Sequence, residues 1–156
     1  MQIKNITVHC SATQNTSSIT KEVIKKMHTD KGWSDIGYHA VIETSGMIRF
    51  GRPPTKKGAH VYGHNNNNYG ICLIGGVDEK GNSVMNFNEK QLNALNYLLT
   101  FLKYQNSLTN DDIKGHRDWF KDKNNDGVVD KKDWLKDCPC FDVKHWLETQ
   151  QAIFEV

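Results

Sequence analysis

An α/β layered domain is predicted, and three observations carry the prediction. Apolar strand-like runs alternate with segments of helical periodicity, the 156 residues suit one hydrophobic core, and neither an internal repeat nor a proline-rich linker divides them. A single domain over residues 1–156 is expected. The one low-complexity patch, Asn65-Asn66-Asn67-Asn68, is short enough to be a loop.

Ile3 to His9 reads as a buried strand, because Ile6 and Val8 flank the β-branched Thr7, and it delivers His9 at its end. The polar run Ser11 to Ser18 breaks it. Thr20 is placed to cap a helix in which Val23, Ile24 and Met27 recur at helical spacing, and Lys31-Gly32 supplies a basic last turn and a glycine stop. Tyr38 to Glu43 and Met47 to Phe50 form a hairpin candidate across Thr44-Ser45-Gly46. Tyr69 to Ile74, ended by Gly75-Gly76, has the unbroken apolar character of a central strand. Asn88 can cap the longest helix while Gln91 reaches back, and Leu92, Leu95, Leu98, Leu99 and Leu102 give that helix one apolar face for the core. Ile113 to His116 is a short strand candidate. Asp142 caps a last helix whose Val143, Trp146 and Leu147 face inward.

Composition removes several classes of function. The net charge is +2 with Lys and Arg scattered along the chain, so no basic stripe points to nucleic acid. No segment approaches bilayer-spanning length, and Met1-Gln2-Ile3-Lys4-Asn5-Ile6 lacks the apolar run of a secretion signal, so synthesis as a cytosolic, non-membrane protein is expected. Of the four cysteines, Cys138 and Cys140 are too close for an ordinary mutual bridge, and Cys10 and Cys72 sit in apolar runs. Reduced thiols are expected, with one free to bind metal.

One loop has a metal pattern of its own. From Asp122 to Asp133, side-chain oxygens stand at positions one, three, five, nine and twelve (Asp122, Asn124, Asp126, Asp130, Asp133), with Gly127 at six and the main-chain oxygen of Val128 at seven. That spacing lets one tight loop wrap a calcium ion. Asp133 stands where a longer Glu usually closes the sphere, so weaker calcium binding or more tolerance of magnesium is expected. A polar surface turn is the other reading of the same residues.

Val8-His9-Cys10-Ser11-Ala12-Thr13, Gly32-Trp33 with Gly37-Tyr38-His39, Gly70 to Gly76, and Lys136-Asp137-Cys138-Pro139 occur here in an order that resembles the phage-lysozyme branch of the zinc N-acetylmuramoyl-L-alanine amidases. These belong to the type 2 amidase and peptidoglycan-recognition-protein superfamily, and the similarity runs from about Ile3 to Trp146. The resemblance implies a central mixed β-sheet flanked by helices, with His9, His116 and Cys138 binding zinc and a fourth position left for water. Two imidazoles and a thiolate suit a borderline-soft ion, and an open position distinguishes a catalytic zinc from a structural one. It also implies that Tyr38 orients the water and passes its proton, while Lys136 stabilises the oxyanion at the scissile carbonyl. Taken alone, Tyr38 is an ordinary strand aromatic and Lys136 a solvated lysine.

By the same resemblance, His39 and His60 contact substrate or support the site, and His64, with the asparagines after it, presents polar groups to a stem peptide or is simply solvated. His28 and His145 pack in helices or face solvent; Trp33 and Trp146 are structural. The Asp122–Asp133 stretch is an insertion relative to the short phage pattern, and its place between His116 and Lys136 suggests that an ordered ion there fixes the loop bearing Cys138. The implied activity is hydrolysis of the amide between N-acetylmuramic acid and L-alanine in peptidoglycan, by a monomeric phage or prophage endolysin that reaches the wall after release from the cytoplasm. A non-catalytic muropeptide-binding module is the alternative, against which the retained His9, His116, Cys138, Tyr38 and Lys136 argue. A calcium-organised interaction domain would leave those residues idle.

Overall fold

The computed structural model of the chain describes residues 1–154. In chain order the elements are β1 (Asn5–Cys10), α1 (Lys21–Thr29), β2 (Ala40–Ile42), β3 (Ile48–Phe50), β4 (Asn68–Leu73), α2 (Glu89–Asn106), β5 (Ile113–Gly115) and α3 (Val143–Phe154). Short 3-10 turns cover Asn110–Asp112 and His116–Trp119. The strands form one mixed sheet in the order β3-β2-β4-β1-β5. β1 lies parallel to β4 and β5, β2 lies parallel to β4, and only the β2–β3 hairpin is antiparallel.

Alternation along the strands separates two apolar layers. Ile6, Val8 and Cys10 of β1 and Tyr69, Ile71 and Leu73 of β4 face α2 and α3, where Leu95, Leu98, Leu99, Leu102, Val143 and Leu147 complete the main core. Each fully buried leucine contributes roughly 1.5–3 kcal/mol relative to exposure. Cys72 of β4 and Val41 of β2 point the other way, packing with Ile74 against Ile24 of α1 and Ile36. His9 shares this second face, opposite Cys72 in the β1–β4 register. A shift of one residue would send the histidine into the leucine core.

Helix starts agree with their local chemistry. The Thr20 side chain accepts from the Val23 amide, and Asn88 and Gln91 form a reciprocal capping box. Asp142 Oδ1 accepts from the His145 amide at 2.9 Å at the start of α3. The strand limits moved by one or two residues: β1 begins at Asn5 and includes Cys10, β4 begins at Asn68, and β5 stops at Gly115. Tyr38 precedes β2 instead of lying in it, because the hairpin ladder is confined to three residues on each side. Among the described residues no helix is long and apolar enough to cross a membrane.

Candidate active site

Ligands in parallel sheets gather at the carboxyl ends of the strands, and three side chains do so here. β1 delivers His9 near its end, β5 runs directly into His116, and the segment before α3 carries Cys138. His9 Nδ1 stands 3.1 Å from His116 Nδ1 and 3.9 Å from Cys138 Sγ. All three donor atoms lie within 4.8 Å of one another. Around a tetrahedral zinc, with nitrogen at about 2.0–2.1 Å and sulfur at about 2.3 Å, neighbouring donors are roughly 3.3–3.6 Å apart, so the set fits that ion with small adjustment. Among the described residues this is the one such cluster of histidine, cysteine and acid donors.

Burial, followed by the neighbouring charges of His60, His116 and Lys136, holds the His9 pKa well below its ordinary value. Burial and Lys136 lower His116 to about 4. Both imidazoles are therefore neutral at pH 7, as metal donors must be. The Cys10 amide donates to Cys138 Sγ at 3.4 Å, which fixes the sulfur beside the end of β1.

The cluster opens into a cleft of about 820 Å³ whose wall includes Tyr38, His60, Trp33, Tyr62, Phe120 and Lys136. The Tyr38 ring lies 5.1 Å from the His9 ring. Burial first, and then the sulfurs of Cys72, Cys138 and Cys10, push the Tyr38 phenol well above its ordinary pKa, which keeps it a proton donor at neutral pH. Its loop is fastened by His28, whose Nδ1 accepts from the Gly37 amide at 3.0 Å. Helical periodicity gave no hint of that role for His28. Lys136 is exposed at the cleft, on the side that carries Cys138.

The remaining histidines separate by exposure. His39 is fully buried, with Nδ1 accepting from the Gly70 amide at 2.9 Å and Nε2 donating to the Lys56 carbonyl at 2.9 Å. Both bonds tie it into the β2–β4 junction, which it supports from inside. His60 is buried as well and bonded through both nitrogens, to His9 and to the Asn68 carbonyl. His64 is exposed and packs against Trp119, ring centroids 4.6 Å apart and tilted by 31°, away from the cleft wall.

The Asp122–Asp133 loop is folded around its own carboxylates. Gly127, at φ +87°, donates its amide to Asp122 Oδ2 at 2.8 Å, and the amides of Lys123 and Asp130 donate to the two oxygens of Asp133 at 2.8 and 3.0 Å. Asn124 and Asp126 are bonded to each other, and the Val128 amide donates to Asp126 Oδ1 at 3.0 Å. Asp122 Oδ1 is buried without a partner, an orphan acceptor of the kind a cation satisfies. The acids do not gather in threes as the donors around His9 do, among the described residues.

Sequence comparison agrees with this geometry. The profile of the N-acetylmuramoyl-L-alanine amidase family matches residues 1–128. The endolysin of Klebsiella phage KP32 is 36% identical over 152 residues, covering 97% of this chain and 90% of the relative. The endolysin of Escherichia phage T7 is 33% identical over 150 residues, covering 95% and 87%. Among solved structures, N-acetylmuramoyl-L-alanine amidase LysC from Clostridium intestinale superposes with a TM-score of 0.70 at 26% identity, over 94% of this chain and 86% of that one. Bumblebee PGRP-SA matches with the same TM-score and identity, over 95% and 81%. The family profile ends inside the acidic loop, short of Lys136 and Cys138, whereas the alignments to the endolysins span nearly the whole chain.

Proposed function

We propose, from the premise that the chain belongs to the N-acetylmuramoyl-L-alanine amidase family, that His9, His116 and Cys138 hold a catalytic zinc with Tyr38 and Lys136 as its working partners. The chain is a peptidoglycan amidase of the endolysin kind, cutting between N-acetylmuramic acid and the L-alanine of the stem peptide. The observation that carries the zinc reading is the meeting of three soft and borderline donors from β1, the end of β5 and the segment before α3, two of which, His116 and Cys138, line the cleft.

A zinc ion held there supplies a Lewis acid that polarises a carbonyl oxygen and makes a water acidic enough to attack near neutral pH. The protein supplies the rest. Neutral His9 and His116 offer lone pairs without having to lose a proton first. The protonated phenol of Tyr38 donates a hydrogen bond toward the reacting oxygen and is placed to pass a proton. Lys136, on the exposed side of the cleft, meets the negative charge that builds on the scissile carbonyl. The apolar wall around Trp33, Tyr62 and Phe120 gives the glycopeptide a surface to lie on. The enzyme acts as a monomer on the cell wall after release from the cytoplasm.

The Asp122–Asp133 loop is read as a calcium site. Its spacing, the positive φ of Gly127 and the orphan Asp122 Oδ1 support that reading, and its acids must draw together when the ion enters. The experiment for the catalytic site is metal analysis of purified protein together with identification of the bond cut in murein sacculi. Near-stoichiometric zinc and new L-alanine amino termini are expected.

A further inference from the structure

We propose that His60 is a positioning residue that fixes His9 in the one neutral tautomer able to present Nδ1 to a metal. The inference rests on the zinc reading of His9, His116 and Cys138, but the atoms that carry it lie on the Nε2 side of the His9 ring, away from the donor atoms themselves. His60 Nε2 is 3.1 Å from the main-chain carbonyl of Asn68, and a carbonyl can only accept, so the His60 proton sits on Nε2. The ring is buried with no acid bonded to it, which favours the uncharged form, and an uncharged ring protonated on Nε2 has a bare Nδ1. His9 Nε2 stands 3.0 Å from that bare nitrogen and must donate to it. A neutral imidazole has one N–H, and His9 has spent it. Its Nδ1 is left as a lone pair, 3.1 Å from His116 Nδ1 and 3.9 Å from Cys138 Sγ, where the other two donors converge. A second partner that sets the tautomer of a metal-binding histidine is a general device. Here the partner is another histidine.

The fold holds His60 in this place from several sides. Gly70 of β4 is parallel-paired with Thr7, and a Cβ there would stand 2.6–2.8 Å from the His60 ring. Glycine therefore makes the slot. The amides of His60 and Val61 both donate to Asn65 Oδ1 at 2.8 Å, which fixes the turn that carries the ring. The Asn68 side chain accepts from Thr7 Oγ1 at 2.9 Å and donates to the His64 carbonyl at 2.8 Å, so the far end of the relay is anchored to β1 and to the loop. The asparagine-rich stretch thus supports the metal-binding histidine.

The test uses the whole chain and begins without metal. Long-range proton–nitrogen NMR of the imidazoles should show His9 of the metal-free wild type as the Nε2–H tautomer; an Nδ1–H tautomer would overturn the proposal. In chelator-competition titrations, His60→Leu should bind zinc 10- to 100-fold more weakly. His60→Asn, whose Oδ1 can accept in place of Nδ1, should recover most of that loss. Unchanged affinity in a folded His60→Leu chain, checked by its amide spectrum, would also overturn it. Should His60→Leu not fold, the wild-type tautomer and the Asn variant decide. A wild type that takes no zinc would sink the zinc reading, while the tautomer measurement still judges the relay on its own.

Discussion

Arg117 and Asp137 clasp the base of the excursion that separates His116 from Cys138. Guanidinium and carboxylate meet at 2.7 Å, and the Arg117 amide donates to the Cys138 carbonyl at 2.8 Å. Trp134, next to the loop's last acid Asp133, lies under the same guanidinium at 4.1 Å. Asp137 is tied in turn by the Ser83 hydroxyl at 3.0 Å. Two donors far apart in sequence are thereby held as neighbours, and the acidic loop is joined to that joint by a packed aromatic.

Arg117→Leu removes the ion pair and the cation–π contact while leaving the main-chain bond. The pair is partly exposed, so about 1 kcal/mol is at stake, which is roughly 2–4 °C of melting temperature in a chain of this size. Zinc affinity should fall with it, as read by chelator competition. Unchanged melting and affinity would mean that the clasp is decorative.

Metal retention and turnover should separate cleanly between two variants. Cys138→Ser should lose zinc and activity together, because a hydroxyl is a poor substitute for a soft thiolate donor. Lys136→Ala should keep its zinc and lose about 10²- to 10³-fold in kcat, the usual effect of removing one oxyanion donor. If Lys136→Ala turns over normally, its assigned role is wrong.

Acid should destabilise the metal-free chain in a defined window. His116 is lowered to about 4 and His60 to about 3 in the folded protein, against about 6.5 in an unfolded one. The unfolded chain therefore binds more protons below pH 6.5, and the folded state loses ground as pH falls from there toward 4. The stabilising contribution of both groups is complete above about 6.5. Chemical denaturation of apo protein between pH 7.5 and 4 checks this, and a flat profile would contradict burial of neutral imidazoles.

Calcium should bind the Asp122–Asp133 loop with measurable heat in a calorimetric titration of the zinc-loaded protein. At one hundred times its dissociation constant it adds about 2.7 kcal/mol to stability, or roughly 5–10 °C in melting temperature. The Asp122→Ala, Asp126→Ala double variant should lose that gain. If the variant matches wild type in activity and melting at saturating calcium, the ion does not support the site.

Much of this was legible in the chain because it is local. The Asn88–Gln91 capping box, the Thr20 cap and the leucine stripe of α2 depend on residues three or four apart, and each formed as spacing dictates. Strand limits drifted because a ladder ends where its partner does, and the partner of β1 is β4, far along the sequence. The donors His9, His116 and Cys138 were reached only through family resemblance, since nothing in their spacing announces that β1 and β5 are adjacent. His39 and His60, which the resemblance placed in contact with substrate or in support of the site, are buried and bonded on both nitrogens; motif position could not show those bonds, because their partners Gly70, Lys56, His9 and Asn68 come from other parts of the chain.

The most direct measurement is mass spectrometry of muropeptides released from murein sacculi, with and without a zinc chelator. Free stem peptides with new L-alanine amino termini, abolished by the chelator and restored by added zinc, are the predicted result. New reducing ends on the glycan, or the same peptides released at full rate by fully zinc-depleted protein, would contradict it.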